Sequence, residues 1–334
     1  MDSGFIEMKI TYYLWIIFGG FLIVFGTAGN ILSLLVLNRE RDAKSSTYIL
    51  LSALAICDLS TLIFGLGRHL LREIFEIEIR VIHNSICKLH LYIIYVLIPV
   101  ATWILVIVTM ERALSVWKPL IVKKICNIRS SYIVLVITIM SVVFLNCHIL
   151  VYSGLVIEPI NYNSTEFEVG YYCSFYSKVD ETYLYFLVNI WPYVEACYKF
   201  IIPFVILLVC NVIIITAIRR SLRFQQNSNA TAGRNASQTR LNVMIVFLSM
   251  SFFILVAPLN TFIAIGFYFH PRELNYSDVY MKAEYDMVLV IMTLLYYSNN
   301  AINFLLYVLW GDKFRQHTKH ILCCCCKYVR RQRV

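Results

Sequence analysis

Five polar side chains lie inside apolar stretches of the chain, where burying an ionisable or amide group is costly. They are Asn30, Asp58, Asn299, Asn300 and Asn303. A carboxylate at membrane depth costs about 2.5–3.5 kcal/mol on insertion scales and indicates a functional site, unless protonation or neighbouring amides neutralise it. We expect these groups to satisfy one another if the three segments that carry them are adjacent.

The segment from Cys87 to Pro119 places a cysteine and an acid–arginine pair at opposite ends of one apolar run. As an α-helix this run would separate Cys87 from Arg112 by about 37 Å, which is enough to cross a bilayer. Of the eleven cysteines, Cys87 and Cys173 are the two that fall clearly on the side opposite Glu111-Arg112. Two cysteines in an oxidising compartment are expected to pair, which would tie a long loop to the end of this helix.

Four charged side chains near the predicted outer ends of apolar runs are candidate ligand contacts. Arg68 and His69 either extend their polar groups to the membrane surface or contact a ligand. Glu195 and Lys199 are four residues apart and share a helix face, so they form either an ion pair or a charged ligand site. The residue types leave both alternatives open at each pair.

Four adjacent cysteines, Cys323 to Cys326, stand beside basic residues after the last apolar run. Juxtamembrane cysteines of this kind indicate palmitoylation beside an anionic leaflet. A metal site is the alternative, but adjacent cysteines lack the usual spacing of metal ligands. Asn163 and Asn275 are predicted glycosylation sites on outer segments, whereas the sequons at Asn229 and Asn235 fall on an inner loop.

The composition shows what must position these residues. Hydrophobic residues make up 60% of the chain and charged residues 15%, against about 45–50% and about 25% in soluble domains, and the mean hydropathy is +0.70. The chain is therefore predicted to be an all-α membrane protein. Spans of mainly apolar residues are predicted at 14–37, 47–70, 88–111, 131–155, 198–218, 241–268 and 286–309.

These spans divide the chain into three parts. Residues 1–13 are predicted to be an extracellular N-terminus, residues 14–309 a seven-transmembrane domain, and residues 310–334 a cytoplasmic tail with a short amphipathic eighth helix. Most of the 29 Lys and Arg residues fall on one side of the spans and most of the 20 Asp and Glu residues on the other. By the positive-inside rule the N-terminus is outside and the C-terminus inside, as in a multi-pass plasma-membrane protein.

The chain resembles rhodopsin-like (class A) G-protein-coupled receptors over nearly its whole length. The resemblance depends on the order of several marks, each on its expected span: Gly29-Asn30, Leu54 to Asp58, the Cys87–Cys173 pair, Glu111-Arg112, Pro203, Phe252 with Pro258, Asn303 to Tyr307, and Phe314-Arg315. The resemblance implies that Arg112 engages a heterotrimeric G protein and that Tyr307 moves inward on activation. It also implies that Asp58 with the span-seven asparagines holds an allosteric sodium ion.

The chain departs from the usual family motifs at several positions. Glu111-Arg112-Ala113 replaces Asp-Arg-Tyr, Val256 stands where a tryptophan is usual before Pro258, and Phe304 replaces the proline of Asn-Pro-x-x-Tyr. Asn211 stands where a tyrosine is common, and no acid precedes span 6 at 236–240 to pair with the span-three arginine. These changes predict an altered activation relay.

The resemblance also narrows the ligand. The aspartate of amine receptors falls on Ile94, and span 7 contains no lysine for retinal, with Tyr297 near that place. The acidic outer face and Asn303-Phe304 resemble invertebrate receptors for short amidated neuropeptides of the FMRFamide or myosuppressin type. An acidic surface raises the encounter rate of a cationic peptide. The predicted ligand-binding residues lie toward the outer ends of the spans; they are Arg68, His69, Ile94, Glu195 and Lys199.

Two other functions remain open from the sequence. A transporter could use Asp58 and the asparagines as an ion path, although the spans show no inverted repeat. A decoy or chemosensory receptor of the same fold could couple weakly because of the missing tryptophan and proline. An enzyme is not predicted, since no nucleophile–base pair or metal-ligand spacing is present at a suitable depth. Nucleic acid is not predicted as a partner, because the net charge of +9 is spread over short segments.

Overall fold

Seven helical segments in the computed structural model are long and apolar enough to cross a membrane. The structure describes residues 4–39, 45–159, 169–174, 181–226, 232–269 and 279–310, together with positions 315 and 318. We call the segments span 1 to span 7 in chain order; they are Ile6–Asn38, Ser46–Phe75, Asn84–Trp117, Ile128–Tyr152, Glu181–Ser221, Thr239–Ile263 and Met281–Leu309. The chain is therefore a multi-pass membrane protein built as a seven-helix bundle.

Each span is built from one or more regular helices. The α-helices are Gly4–Tyr13, Gly20–Arg39, Ser46–Thr61, Gly67–Phe75, Asn84–Trp117, Pro119–Ile125, Ile128–Leu145, His148–Tyr152, Glu181–Asn189, Trp191–Ala196, Ile202–Gln226, Ala232–Phe269 and Val279–Trp310. Wider turns of π-helix at Leu14–Gly19, Leu62–Leu66 and Cys197–Ile201 interrupt spans 1, 2 and 5, and a 3-10 turn covers Ile79–Val81. Such turns add a residue locally and rotate the following side chains to a new face.

Several predicted span boundaries differ from the helical segments by three residues or more, including boundaries of spans 1, 4 and 5. Span 1 begins at Ile6 rather than at residue 14, and helix Gly4–Tyr13 covers residues assigned to the N-terminal segment. Span 5 begins at Glu181 rather than at 198, and span 4 ends at Tyr152 rather than at 155. Spans 1 and 5 extend beyond their most apolar windows because continuing the helix satisfies backbone groups that hydropathy does not report.

A β-hairpin at one end of the bundle adds to the predicted all-α fold. Strands Gly154–Pro159 and Val169–Ser174 pair antiparallel, with Leu155 opposite Cys173. Cys173 forms the predicted disulfide with Cys87 at the start of span 3. We call this the disulfide end of the bundle and the opposite end the Arg112 end.

Span 3 is the central helix of the bundle. It packs against spans 2, 4, 5 and 6, while span 1 packs against spans 2 and 7 and span 6 packs against spans 5 and 7. The main buried cluster lies between these helices and includes Ile104, Leu207, Ile245, Leu248 and Phe252. Span 4 lies at the periphery, where Phe144 is 79% exposed, as expected of a side chain that contacts lipid.

Two glycines let spans 1 and 7 approach closely. A Cβ added at Gly26 would lie 2.8 Å from the Ala301 Cβ and 2.6 Å from Leu62 Cδ1, and one added at Gly29 would lie 2.9 Å from the Phe304 Cβ. Small residues at such crossings are typical of membrane helices, because close backbone approach strengthens van der Waals packing. The contact brings the asparagines of spans 1 and 7 into one network.

Candidate functional site

Asp58 lies in the middle of the bundle and is 1% exposed. The Asn303 Nδ2 of span 7 donates to the Asp58 Oδ2 at 2.6 Å. The Asn30 Nδ2 of span 1 donates to the Asn300 main-chain oxygen of span 7 at 2.9 Å. Spans 1, 2 and 7 are thus joined by hydrogen bonds between groups that would be costly to bury singly.

A cavity of about 20 Å³ lies beside this network. Its wall includes oxygen-bearing side chains from three spans: Asp58, Thr102, Asn299, Asn300 and Asn303. The volume suits one or two water molecules or a small cation. One carboxylate with amide and hydroxyl oxygens is a donor set for a hard cation. The residues present therefore fit a sodium ion.

Val256 and Phe252 complete the cavity wall from span 6. Val256 occupies the place at which the resemblance predicts a tryptophan. Further toward the Arg112 end, the Ser249 Oγ donates to the Asn211 Oδ1 at 2.9 Å and links spans 5 and 6. Tyr307 is buried in the main core cluster.

At the Arg112 end, two hydroxyl groups of span 2 donate to the carboxylate of Glu111, and a hydroxyl of span 4 supports one of them. Thr47 Oγ1 donates to the Glu111 Oε1 at 2.5 Å, and the Ser46 Oγ donates to the Oε2 at 2.6 Å. The Ser131 Oγ lies 2.5 Å from the Ser46 Oγ and donates to it, because Ser46 has only one hydroxyl hydrogen. We call Ser46, Thr47, Glu111, Arg112 and Ser131 the Glu111 cluster.

Arg112 pairs with the neighbouring Glu111 rather than with an acid of another span. Its Nη2 lies 2.5 Å from the Glu111 Oε1 and also donates to the Thr47 hydroxyl. The two side chains are 11% and 6% exposed, so the ion pair is shielded from solvent. Its Nε is buried and has no acceptor among the described residues, so Arg112 keeps donor capacity for a partner.

The local sequence explains why the carboxylate is stable there. Ser46 and Thr47 occupy the first turn of helix Ser46–Thr61, where unpaired backbone N–H groups create a positive end that favours an anion. A cleft of about 590 Å³ opens beside the cluster and is lined by Ser45, Arg112, Ser115, Val122 and Arg129, among others. The Arg112 end therefore presents a charged group at the wall of an open cleft.

The predicted ligand residues fall into two groups at the disulfide end. In the first, Arg68 pairs with Glu78 at 3.1 Å, and the His69 ring stacks on Trp15 at 4.3 Å between ring centres. The edge of His69 faces Tyr297 at 6.3 Å. This group lies between spans 1, 2 and 7.

In the second group, Glu195 and Lys199 of span 5 form the predicted i,i+4 ion pair. The Lys199 Nζ also lies 3.9 Å from the centre of the Tyr95 ring of span 3, a cation–π contact. Ile94, next to Tyr95, is buried. The structure shows the ion pair but does not exclude a ligand contact, because the Lys199 ammonium group can bind a ligand while it is paired with Glu195.

The fold is shared with a large receptor family. The sequence profile described as "7 transmembrane receptor (rhodopsin family)" matches residues 29–307. The chain belongs to this family. It is therefore a receptor and not an enzyme, and the match spans all seven segments from Gly29 to Tyr307.

Individual relatives of this receptor are distant. It is 25% identical over 307 residues to the FMRFamide receptor of Drosophila melanogaster, which covers 88% of this chain and 51% of that protein. It is 22% identical over 310 residues to neuropeptide Y receptor type 6 of Mus musculus, covering 88% of this chain and 76% of that protein. The receptor thus spans about half the length of the first relative.

Sequence reasoning missed several residues that contact the predicted site residues. Ser46 and Thr47 donate to Glu111, and Ser131 contacts Ser46; the hydroxyl residues at the start of span 2 were the available signal. Trp15 stacks on His69, and at the same end the Arg80 Nε donates to the His90 Nδ1 at 2.9 Å. Nothing in a single sequence indicates these last contacts.

The π-helical turns are one reason why some contacts at the disulfide end were not predicted. Trp15 lies within Leu14–Gly19, Arg68 and His69 directly follow Leu62–Leu66, and Lys199 lies within Cys197–Ile201. Each turn changes which face of its span bears these side chains. Regular helix spacing was enough to predict the Glu195–Lys199 pair, but it does not report the faces that these turns give to Trp15, Arg68 and His69.

Several predicted sites lie outside the described residues. These are the sequons at Asn163, Asn229 and Asn275 and the tail cysteines Cys323, Cys324, Cys325 and Cys326. Most of the predicted eighth helix also lies outside them. Their modification and structure stay predictions.

Proposed function

We propose that this receptor binds a short peptide at its disulfide end and activates a heterotrimeric G protein at its Arg112 end. The relatives named above are a receptor for FMRFamide and a receptor of the neuropeptide Y type. The observation that carries the proposal is the Glu111 cluster. It holds Arg112 in a shielded ion pair at the cleft, at the end of the helix remote from the disulfide.

The proposal places the disulfide end outside the plasma membrane and the C-terminus in the cytoplasm. Disulfides persist in oxidising compartments, and the Cys87–Cys173 bond lies at that end. The excess of Lys and Arg on the opposite side supports the same orientation. In this orientation Asn163 and Asn275 are available for glycosylation, and Cys323 to Cys326 lie where palmitoyl chains could enter membrane lipids.

Activation is proposed as a shift between two conformations. Peptide binding between the outer ends of the spans would stabilise the one in which Arg112 leaves Glu111 and meets a G-protein helix, accompanied by an inward movement of Tyr307. The hydrogen bonds that join spans 1, 2 and 7 at Asp58 lie between the two ends. A sodium ion bound by Asp58, Asn299, Asn300 and Asn303 would stabilise the resting conformation.

The ligand is proposed to be a short amidated peptide with net positive charge. The acidic outer segments of the sequence would attract such a peptide over distance. Glu195, which pairs with Lys199 and whose side chain is 27% exposed, offers a carboxylate on span 5. Arg68, His69 and Ile94 line the outer ends of neighbouring spans.

A screen of short peptides tests this function. Cells that express the receptor with a promiscuous G protein would be exposed to pools of amidated peptides and to the same pools with free C-termini. A saturable calcium response to amidated pools, absent from untransfected cells, is expected. No response at confirmed surface expression would contradict the proposal and favour a weakly coupled receptor, whereas ion flux without G-protein activation would favour a transporter.

A further inference from the structure

Arg80 lies at the disulfide end with most of its hydrogen-bonding capacity unused. Its Nε donates to the His90 Nδ1 at 2.9 Å. Neither of its two terminal nitrogens has an acceptor among the residues that the structure describes. The side chain is half-buried, on the 3-10 turn Ile79–Val81, which packs against the start of span 3 and against the second strand of the hairpin. Its free donors are therefore beside the disulfide-linked loop.

His90 cannot neutralise this guanidinium. Because its Nδ1 accepts from Arg80, the ring hydrogen must be on Nε2, which lies 2.9 Å from the Phe64 main-chain oxygen and donates to it. The ring is therefore a neutral imidazole used at both nitrogens. Arg80 gains a hydrogen bond from His90 but no opposite charge.

Glu78 is the carboxylate that both arginines share. Its Oε2 lies 3.1 Å from the Arg68 Nη2, and its Oε1 accepts from the Arg80 main-chain N–H at 3.1 Å. The neighbouring Arg72 and Glu73 pair with each other. The group formed by Arg68, Glu78 and Arg80 therefore contains two positive charges and one negative charge.

Further donors in the same region lack acceptors. Trp15 Nε1 and Arg68 Nε are buried without a hydrogen-bond partner within the described ranges, and their residues are only 2% and 8% exposed. The pKa of Arg80 is lowered to about 10, chiefly by burial and next by the Arg68 charge. Both observations indicate a surplus of donors and positive charge that an added acceptor would relieve.

We propose that Arg80, with Arg68 beside it, forms a subsite for a carboxylate group of the peptide ligand, an inference that depends on the peptide-receptor function proposed above. The planar guanidinium of Arg80 presents two parallel N–H donors, which match the two oxygens of a carboxylate. A half-buried site strengthens that pairing relative to an exposed one. The peptide would then carry at least one carboxylate in addition to its cationic groups.

Three small probes test the subsite without requiring the natural peptide. N-acetyl-glutamic acid α-amide carries a side-chain carboxylate, N-acetyl-glutamine carries a terminal one, and N-acetyl-glutamine amide carries none. The melting temperature of the purified full-length receptor would be measured with each probe at rising concentration. A carboxylate probe near saturation should raise it by about 2 °C or more, and the neutral amide should not.

Variants of Arg80 test whether this residue causes the rise in melting temperature. Arg80→Gln should lose the carboxylate-dependent shift, and Arg80→Lys, which keeps the charge without the planar fork, should retain only part of it. Arg72→Gln is the matched control, because Arg72 is exposed and already paired with Glu73; it should keep the full shift. Whichever carboxylate probe acts identifies the source as a side chain or a C-terminus.

Three results would overturn the subsite: equal shifts with the neutral amide, no shift with either carboxylate, or an undiminished shift in Arg80→Gln. The readout is independent of signalling, so it also separates the two proposals. A carboxylate shift in a receptor that no peptide activates would support the subsite and count against the proposed function. A peptide response without any carboxylate-dependent shift in melting temperature would support the proposed function and count against the subsite.

Discussion

Thr47 donates its hydroxyl hydrogen to the Glu111 Oε1 at 2.5 Å and accepts a hydrogen bond from Arg112 with the same oxygen. One side chain of span 2 thus contacts both members of the ion pair at the end of span 3. No acid precedes span 6 at 236–240, and among the described residues the Arg112 side chain is held by Glu111 and Thr47. The resting state of this receptor would depend on span 2.

Removing the Thr47 hydroxyl tests that dependence. Thr47→Val keeps the side-chain shape and deletes a hydrogen bond to a charged group, which contributes about 1.5–3 kcal/mol. We expect basal G-protein activity to rise several-fold, as measured by nucleotide exchange in membranes without added peptide. Thr138→Val is the control, since its hydroxyl bonds only the Val134 oxygen of its own helix. Basal activity unchanged in Thr47→Val would argue against this role.

Sodium should stabilise the receptor through Asp58. The melting temperature of the wild type should be higher in sodium chloride than in N-methylglucamine chloride of equal ionic strength. Asp58→Asn should abolish the difference because it removes the one carboxylate among the described residues that line the cavity. Asp286→Asn, which alters an exposed carboxylate of span 7, should preserve it. A sodium effect of equal size in Asp58→Asn would show that the ion binds elsewhere.

Gly26 and Gly20, both on span 1, should respond oppositely to alanine. Alanine is favoured over glycine in a helix by about 1 kcal/mol, and a Cβ at Gly20 would meet no atom within 4 Å. Gly20→Ala should therefore leave the melting temperature unchanged or raise it. Gly26→Ala should lower it, because its Cβ would overlap Leu62 and Ala301 and overpacking costs about 1–3 kcal/mol. Equal melting temperatures would contradict the close packing of spans 1 and 7.

The Cys87–Cys173 disulfide closes a loop with a sequence separation of 86 residues. Bonds of this kind stabilise a protein by about 2–4 kcal/mol. Cys87→Ser should lower surface expression by several-fold, as measured by flow cytometry of an N-terminal tag. Cys147→Ser, which replaces an exposed free cysteine, is the control and should have no effect. Equal expression of both variants would contradict a stabilising role of the disulfide.

The seven-helix fold could be predicted from the sequence because the strongest signals extend over the whole chain. Seven apolar runs, a charge asymmetry and ordered motifs each report on the whole bundle, so local irregularities do not disturb them. Asp58, Asn30 and Asn303 were predictable partners since buried polar groups in a membrane must find one another. Their exact pairing was not predictable, and the structure joins Asn30 to the backbone of Asn300 rather than to Asp58.

Some contacts at the disulfide end could not be predicted, for a physical reason. Arg80 and His90 lie on different elements and meet through the tertiary fold, so no spacing in the sequence relates them. The π-helical turns before Arg68 and around Lys199 were not predicted from the sequence either. Ser46 and Thr47, in contrast, were visible as hydroxyl residues at a helix start, and the predicted membrane topology already placed them at the same end as Glu111.

The most direct test of the account measures peptide-stimulated nucleotide exchange on a G protein in membranes that contain wild-type receptor or Arg112→Ala. Peptide pools active in the wild type should bind Arg112→Ala with similar affinity and fail to stimulate exchange, because the variant lacks the guanidinium that we propose meets the G protein. Lys118→Ala, just beyond the end of the same helix and exposed, should signal as the wild type does. Full stimulation by Arg112→Ala would contradict the central claim that this arginine links the peptide site to the G protein.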